Sequence, residues 1–259
     1  MKKIYLKLSL LSLALPLFGL HAIPQISLNT KHSHNDTLVL LVSENAVAQQ
    51  QHPLLKDATV QKIIQQEKFS GKHGKQLEIL YPALGYQRVL LLGVGDSSKL
   101  TQTKTTELGA EFAAYLDKSH AEKVSVDTTQ FPTSELTAWF GQGVELRSYR
   151  FEKYKTKTTP KKSPQLELVV KDVSATQQVL SQVQTVNQGV FLARDLTNEP
   201  AAAIYPESFA EKALELKKIG VKVEVLDVAA MEKLGMGALL AVGKGSQRPP
   251  RLVVAHYQN

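Results

Sequence analysis

The chain of 259 residues contains no cysteine. Disulfide bridges, thiolate nucleophiles and cysteine-bound zinc are therefore excluded, although this absence does not decide between an oxidising and a reducing compartment. Glycine and proline, at 15 and 11 residues, are near their average frequencies, so the composition gives no sign of a wholly disordered chain. With 43% hydrophobic residues, the sequence has the composition of a globular protein of about one to two domains.

Long apolar runs are absent after the first 22 residues. Two lysines precede the apolar run Ile4–Leu20, which ends just before the small residue Ala22. This arrangement predicts a secretory signal peptide over residues 1–22. Lys7 and Pro16 leave too short an uninterrupted run to cross about 30 Å of hydrocarbon, so we expect no stable membrane anchor. The predicted location is outside the cytoplasm, in the periplasm, and the alternative is cytoplasmic.

Excess charge of one sign is small. The formal net charge is +7, and three of the positive charges lie in residues 1–22, which contain no acidic residue, so the remainder carries +4. That excess is too mild to indicate nucleic acid as a partner. The basic stretch Arg147–Lys162 also contains aromatic residues, a combination that can bind nucleic acid. We favour a solvated loop whose aromatic side chains pack on the domain, because charged groups are mostly exposed.

Apolar runs of strand length alternate with helical patterns through the first two thirds of the chain. Apolar residues recur at three- and four-residue steps between Leu108 and Leu116, and again between Leu136 and Val144. The pattern predicts an α/β domain over residues 37–173, with a mostly parallel sheet covered by helices on both faces. Residues 23–36 are polar and aperiodic, which predicts a flexible lead-in. The predicted strands are Thr37–Val42, Gln76–Tyr81, Arg88–Leu92, Lys123–Thr128 and Leu166–Val170.

An amphipathic helix over residues 174–198 is predicted to link this domain to a second one, residues 199–259. The second domain begins with a helix that carries Pro206 in its first turn, where the missing N–H costs nothing. The alternation in Val221–Val225 and the apolar residues of Arg251–Ala255 predict two strands. So small a unit leaves sheet edges unpaired, and we therefore expect this domain to be truncated.

One pair of histidines is a candidate metal site. His32 and His34 lie close to Asp36 in the polar lead-in. A third ordered ligand is not evident there, so the pattern favours a solvated tail over a site. The segment Gln49–His52 is likewise predicted to be a surface loop.

Two glycine-rich segments are candidate phosphate loops. They are Gly93–Asp96, which follows a predicted strand, and Gly243–Ser246, which contains a lysine. Neither has the glycine spacing of the dinucleotide-binding or P-loop motifs. Both are predicted to be tight turns.

Five segments of the second half of the chain carry a resemblance to a known family. They are RSYRFEKYKTK (Arg147–Lys157), ARDLTNEP (Ala193–Pro200), VEVLD (Val223–Asp227), MEKLGMGALLAVGKGS (Met231–Ser246) and PPRLVVAHY (Pro249–Tyr257). Through them the chain resembles the leucyl aminopeptidase (cytosol aminopeptidase) family, weakly before Arg147 and specifically from there on. The resemblance implies an N-terminal domain that looks like a macro domain, followed by the opening part of an α/β catalytic domain.

The same resemblance implies a function for the full-length protein. Family members release N-terminal amino acids from peptides, with a preference for leucine, through a hydroxide bridging two divalent metal ions, manganese or zinc. They assemble as homohexamers. A non-enzymatic fragment, or an α/β module that binds nucleotides or DNA, is the alternative.

No site residue of that function can be assigned here. The family's metal ligands and catalytic residues lie beyond the position that matches Asn259, so we expect no catalytic, cofactor-binding or metal-binding residue and no bound metal. The acidic residues of the second domain are expected on helix surfaces, a strand and a helix cap, and not in a ligand cluster. They are Glu207, Glu211, Glu215, Glu224, Asp227 and Glu232.

Overall fold

The computed structural model describes residues 23–33, 36–44, 52–80, 85–119, 121–157 and 163–258. The chain divides into two compact units, with the boundary after Phe191. The predicted signal peptide lies outside the described residues. Among the helices that are described, none combines the length and the apolar character needed to cross a bilayer.

A six-stranded sheet forms the centre of the first unit. The strand order is β1-β6-β5-β2-β4-β3, and each neighbouring pair is parallel except β3 and β4. The prediction of a mostly parallel sheet is therefore confirmed. The strands are β1 (Gln25–Asn29), β2 (Thr37–Ser43), β3 (Gln76–Leu80), β4 (Arg88–Gly95), β5 (Lys123–Asp127) and β6 (Gln165–Val169).

Five described helices accompany this sheet, and a short 3₁₀ turn, Ser97–Lys99, follows β4. Two of these helices begin where a side chain accepts the first amide hydrogen bonds: Asp57 caps α2 and Thr101 caps α3. The last helix continues past Phe191, so the division between the two units falls inside it. The helices are α1 (Pro53–Lys56), α2 (Ala58–Gln66), α3 (Gln102–Leu116), α4 (Ser134–Ser148) and α5 (Val173–Asn198).

Both faces of the sheet are covered, as predicted. Successive strand residues point to opposite faces, so β2 contributes to two separate cores. Val39 and Leu41 pack in a cluster with residues of α3 and α4. Leu38 and Leu40 pack on the other face with residues of α1 and α2.

The edge strand β1 corrects one prediction. Residues 23–36 were expected to be a flexible lead-in, but Gln25–Asn29 pair in parallel register with Gln165–Val169 of β6. Only one face of β1 packs against the core, so the strand needs few apolar side chains. Ile26 and Leu28, both half-buried against the core, supply them.

The connection from β1 to β2, described at residues 30–33 and 36, joins two strands that are not neighbours in the sheet. Because β6 and β5 lie between these strands in the sheet order, the segment passes over both. The face beneath it is polar: Ser125 of β5 lies opposite Glu167 of β6 in the register. Ser33 binds this face, with its N–H donating to Glu167 Oε1 at 3.0 Å and its hydroxyl donating to Glu167 Oε2.

The second unit has local structure close to the prediction. Helix α6 (Pro206–Leu214) starts at the predicted proline, and a 3₁₀ turn, Glu215–Ile219, follows it. Gly220, with φ of 88°, adopts the left-handed conformation that suits glycine at a helix end. Strands β7 (Lys222–Leu226) and β8 (Leu252–His256) pair antiparallel, with α7 (Val228–Lys233) and α8 (Gly237–Gly243) between them in the sequence.

Candidate functional site

The acidic residues of the second unit are dispersed. Asp227 caps α7, accepting a backbone amide hydrogen bond at 2.9 Å. Glu207 lies 3.8 Å from the Arg251 guanidinium, and Glu215 accepts a hydrogen bond from Lys212 at 3.0 Å. In the described part of residues 199–258, no three such side chains approach a single point at ligand distance. Of the remaining five, Glu211, Glu224 and Glu232 are exposed, Asp195 is buried and Glu199 is half-buried.

A shallow depression of about 470 Å³ lies in the second unit, lined by apolar residues with Tyr205 and Arg251. It lies beside the start of α6, where the Tyr205 N–H donates to Ser208 Oγ at 2.9 Å. The Arg248 guanidinium stacks on the Tyr205 ring at 3.6 Å from its centroid. The lining offers an apolar surface and a cation but no carboxylate, histidine or nucleophilic hydroxyl other than the phenol.

The first glycine-rich segment forms a tight packing point, as predicted, instead of a phosphate loop. A Cβ on Gly93 would meet the Lys72 carbonyl oxygen at 2.1 Å. The Gly93 N–H donates to the Lys75 carbonyl, and the Gly95 N–H donates to the Gly71 carbonyl. These amide groups are therefore used within the fold.

The second glycine-rich segment ends helix α8. The N–H of Ser246 donates to the carbonyl of Gly243 at 3.0 Å, and that of Lys244 donates to the carbonyl of Ala241 at 3.3 Å. A Cβ on Gly243 would meet Pro250 at 2.9 Å. The turn predicted for this segment is confirmed.

The basic stretch begins with two arginines that share one acidic partner. Arg147 lies 3.6 Å from Asp117, and Arg150 forms a shorter ion pair with the same carboxylate. Tyr149 stacks on Phe191, with ring centroids 5.8 Å apart. This aromatic residue packs on the domain as predicted, and Asp117 neutralises part of the positive charge.

Farther along the stretch, the prediction of packed aromatics is wrong for Tyr154. Its side chain is 53% exposed and contacts Phe151 and Lys153 next to it in the loop. The last two lysines, Lys161 and Lys162, lie outside the described residues.

His32 does not lie in a solvated tail. Its Nε2 is 3.5 Å from Asp127 Oδ2, and the side chain is 26% exposed. The prediction is wrong because the segment after β1 is held on the polar face of the sheet. The other two members of the predicted group do not join it: His34 is outside the described residues, and Asp36 is exposed, with its carbonyl bound to the start of β4.

His52 is also not part of a surface loop. It is half-buried at the start of α1, where its Nδ1 accepts a hydrogen bond from the Leu54 N–H at 3.2 Å. Its ring meets the His32 ring edge-on, with centroids 6.1 Å apart. His32, His52 and Asp127 thus form a cluster that local sequence patterns do not bring together.

The electrostatics of this cluster follow from burial and hydrogen bonding. Burial lowers the pKa of His52, and the nearby Asp127 carboxylate only partly offsets that effect. Burial on its own would raise the pKa of Asp127, but the proximity of His32 and the hydrogen bonds from Thr129 outweigh it and lower the pKa. Burial, together with the charges of Asp127 and Glu167, raises the pKa of Tyr86 beside them.

The sequence contained signals for the two cluster members that were missed. Asp127 ends a predicted parallel strand, and the carboxyl ends of such strands often carry functional side chains. His52 directly precedes Pro53, and a polar residue before a proline is typical of the first turn of a helix.

Two segments of the chain match two domains of one known protein family. Residues 39–158 match the cytosol aminopeptidase family, N-terminal domain, and residues 191–259 match the cytosol aminopeptidase family, catalytic domain. A probable cytosol aminopeptidase of Shewanella oneidensis is 43% identical over 89% of this chain and 47% of its own length. One from Bradyrhizobium is 41% identical over 76% of this chain and 41% of its own length. The chain spans about half the length of the curated relatives it matches.

Solved structures resemble the fold. A tomato leucine aminopeptidase mutant superposes with a TM-score of 0.74 at 24% identity, covering 89% of this chain and 50% of that chain. The bottromycin maturation enzyme BotP, in complex with Mn, gives a TM-score of 0.66 at 23% identity, covering 86% and 45%.

Proposed function

Because the chain belongs to the cytosol aminopeptidase family, we propose that it supplies part of a leucyl-aminopeptidase-like metallopeptidase. The part is the N-terminal domain and the opening stretch of the catalytic domain. The substrates of the full-length protein are peptides, from which it releases N-terminal amino acids.

The observation that carries this proposal is the correspondence between two matched segments and two structural units. The N-terminal family domain matches within the first unit, and the catalytic-domain match begins at residue 191, the last residue of the first unit, so the two boundaries agree to within one residue. A chance match to one short motif would not reproduce the order and the boundary together.

The described acidic residues of the second unit do not fit a pair of divalent ions. A two-metal centre needs several carboxylates converging on one point. Here Asp227 is engaged as a helix cap, and Glu207 and Glu215 face basic side chains. We therefore assign no catalytic step to these residues. In this proposal the metal ions, Mn²⁺ or Zn²⁺, are bound elsewhere in the full-length protein.

The first test is an activity assay of residues 23–259. The expected result is no hydrolysis of leucine p-nitroanilide with added Mn²⁺ or Zn²⁺, because no described residue group of the second unit can hold the metal pair. Unmutated tomato leucine aminopeptidase serves as the positive control. Turnover that stays with the chain through further purification would show that the catalytic groups are present after all.

A chimera tests the family function itself. It joins residues 23–258 to the part of the Shewanella oneidensis relative that follows its matched segment. The expected result is metal-dependent hydrolysis of leucine p-nitroanilide by an assembly of hexamer size in gel filtration. A chimera that folds, by circular dichroism, yet hydrolyses no aminoacyl substrate would contradict the proposal.

Export is the remaining part of the proposal. The charged head and apolar run of residues 1–22 support removal of this segment after Ala22. N-terminal sequencing of protein recovered from the periplasm of the producing cell is expected to begin at Ile23. Recovery of the protein in the cytoplasm with Met1 or Lys2 at its start would overturn this part.

A further inference from the structure

Three side chains with metal-ligating atoms converge on the face of the six-stranded sheet that α1 covers. One ligand atom from each of His32, His52 and Asp127 lies within 4.8 Å of the other two. They come from the segment after β1, the start of α1 and the end of β5, so only the folded unit brings them together. We propose that these three residues bind one divalent transition-metal ion of the Zn²⁺ class.

The best-defined distance in the cluster fits an ion better than a hydrogen bond. His32 Nε2 and Asp127 Oδ2 are 3.5 Å apart. A charge-assisted N–H···O hydrogen bond is shorter, at about 2.7–2.9 Å. Two ligand atoms bound about 2.0–2.2 Å from a tetrahedral zinc ion lie about 3.4 Å from each other. This pair is therefore spaced for an ion between its members.

The cluster has unused binding capacity. Asp127 Oδ1 accepts hydrogen bonds from the N–H and hydroxyl of Thr129 at 2.9 and 2.5 Å, whereas Oδ2 faces His32. His32 Nδ1 is buried and has no hydrogen-bond partner among the described residues. If the ion binds Nε2, Nδ1 carries the proton, and a separate buried water molecule at Nδ1 would satisfy this donor, since buried polar atoms in folded proteins are almost always partnered.

Glu167, the other acidic residue on this face, does not compete for the ion. Its Oε1 accepts hydrogen bonds from the Ser125 hydroxyl at 2.7 Å and the Ser33 N–H at 3.0 Å, and its Oε2 accepts one from the Ser33 hydroxyl. These hydrogen bonds engage both oxygens and leave Asp127 as the carboxylate ligand.

The cavity beside the cluster has room for one small ligand. A cavity of about 20 Å³ is lined by His52, Asp127 and Gln130 among leucine and valine side chains. About 10–15 Å³ is enough for one water molecule. Two imidazoles and one carboxylate are a ligand set that suits Zn²⁺, whereas Mg²⁺ and Ca²⁺ prefer oxygen ligands alone. A water molecule would complete the tetrahedron.

Metal binding also has a structural consequence at α1. His52 Nδ1 accepts the Leu54 N–H through its lone pair. If the ion binds Nδ1, it takes that lone pair. If the ion binds Nε2, Nδ1 must carry the proton instead. Either way the Leu54 amide loses its acceptor, so its hydrogen exchange is expected to accelerate when the metal binds.

Zinc titration of the chain of residues 23–259 tests the proposal. Titration calorimetry is expected to show one Zn²⁺ bound per chain. The midpoint of thermal unfolding is expected to rise when Zn²⁺ is added, because the ion binds the folded state only. His32→Ala and His52→Asn are expected to weaken binding about 100-fold or more, since even supporting residues around a metal contribute about 10–100-fold. Asparagine is chosen at position 52 because it preserves the helix cap.

His73→Ala is the matched control, because His73 is an exposed histidine of the same unit outside the cluster. It is expected to bind Zn²⁺ like the parent. The proposal is overturned if the parent binds no Zn²⁺, or if folded His32→Ala and His52→Asn bind it as tightly as the parent. Unchanged exchange at Leu54 on Zn²⁺ addition would also overturn it. None of these outcomes depends on whether the full-length protein is a peptidase.

Discussion

At the scale of single residues, Glu145 of α4 illustrates how the fold accommodates a buried charge. Its side chain is 5% exposed and accepts hydrogen bonds at 2.7 Å from the side-chain amides of Gln184 and Asn187 on α5. Burial raises the pKa of Glu145, and the two amides only partly offset the rise. The carboxylate therefore ties α4 to α5 but is less stable ionised here than in water.

A Glu145→Gln substitution is expected to become relatively more favourable as the pH rises. A carboxyl whose pKa is raised by folding binds more protons in the native state, so the contribution of Glu145 to the stability of the parent falls as the pH rises from about 4.5 towards neutrality. The glutamine variant does not titrate there. Urea unfolding of both proteins at pH 4 and at pH 7 gives the free energy of unfolding of the variant minus that of the parent at each pH. This difference is expected to rise with pH, and a difference that falls would contradict the expectation.

A Glu145→Ala substitution isolates the hydrogen bonds. It leaves the amide donors of Gln184 and Asn187 without their acceptor, and Asn187 is fully buried. The expected loss is about 1–3 kcal/mol of unfolding free energy, the usual cost of an unsatisfied buried donor. Urea unfolding at pH 7 measures it, and a variant as stable as the parent would show that water replaces the carboxylate.

The cluster of His32, His52 and Asp127 shows the limit of residue-by-residue prediction. His32 was recognisable as a candidate ligand, but its neighbours in the sequence, His34 and Asp36, are not its partners. The partners, His52 and Asp127, are distant in the sequence and meet His32 only through the crossing of the sheet by the β1–β2 segment. Local patterns hold no information about that crossing.

At the scale of elements, α3 and α4 are in unusually close contact. A Cβ on Gly143 of α4 would lie 1.9 Å from the carbonyl oxygen of Thr106 on α3. A Cβ on Gly109 of α3 would lie 2.0 Å from the carbonyl oxygen of Phe140 on α4. Glycine at both positions lets the two backbones touch, and any larger side chain must separate the helices.

Substitution of either glycine by alanine is therefore expected to destabilise the first unit. The loss for Gly109→Ala or Gly143→Ala should be about 1–3 kcal/mol or more, the range for overpacked cores. Gly189→Ala in α5 is the matched control, because nothing lies within 4 Å of its Cβ position. That variant should gain about 0.5–1 kcal/mol from helix propensity. Urea unfolding of the three variants measures these changes in free energy. The same change in all three variants would contradict the packing argument.

The strands differ in how well the sequence predicts them. β2 and β4 are buried on both faces, so their continuous apolar runs identified them. β1 alternates exposed and half-buried residues and contains only two apolar side chains, which is too little to distinguish it from a polar lead-in. The antiparallel pairing of β3 with β4 depends on its position at the sheet edge, and composition does not encode that position.

At the scale of the whole molecule, the two units differ in how much apolar surface they bury. The first has two clusters of buried residues, one on each face of its sheet. In the second, only Ala210, Val223 and Met231 are buried hydrophobic residues among those described. Val242 and Leu234, by contrast, are 87% and 61% exposed.

The isolated units are therefore expected to behave differently. A chain of residues 23–191 should unfold cooperatively, with a midpoint close to that of residues 23–259. A chain of residues 192–259 should show no cooperative transition, because so few buried side chains do not offset the loss of conformational entropy. Calorimetry of the three chains checks this, and a sharp transition for residues 192–259 alone would refute it.

The position of β1 at the edge of the sheet has a consequence for the order of events during synthesis. Among the described strands, β1 pairs only with β6, which the ribosome completes about 140 residues later. β1, the earliest of the described strands in the sequence, thus waits longest for its neighbour, and until then both of its edges are open to wrong partners. A long wait of this kind slows folding, because distant segments must meet before their contacts contribute.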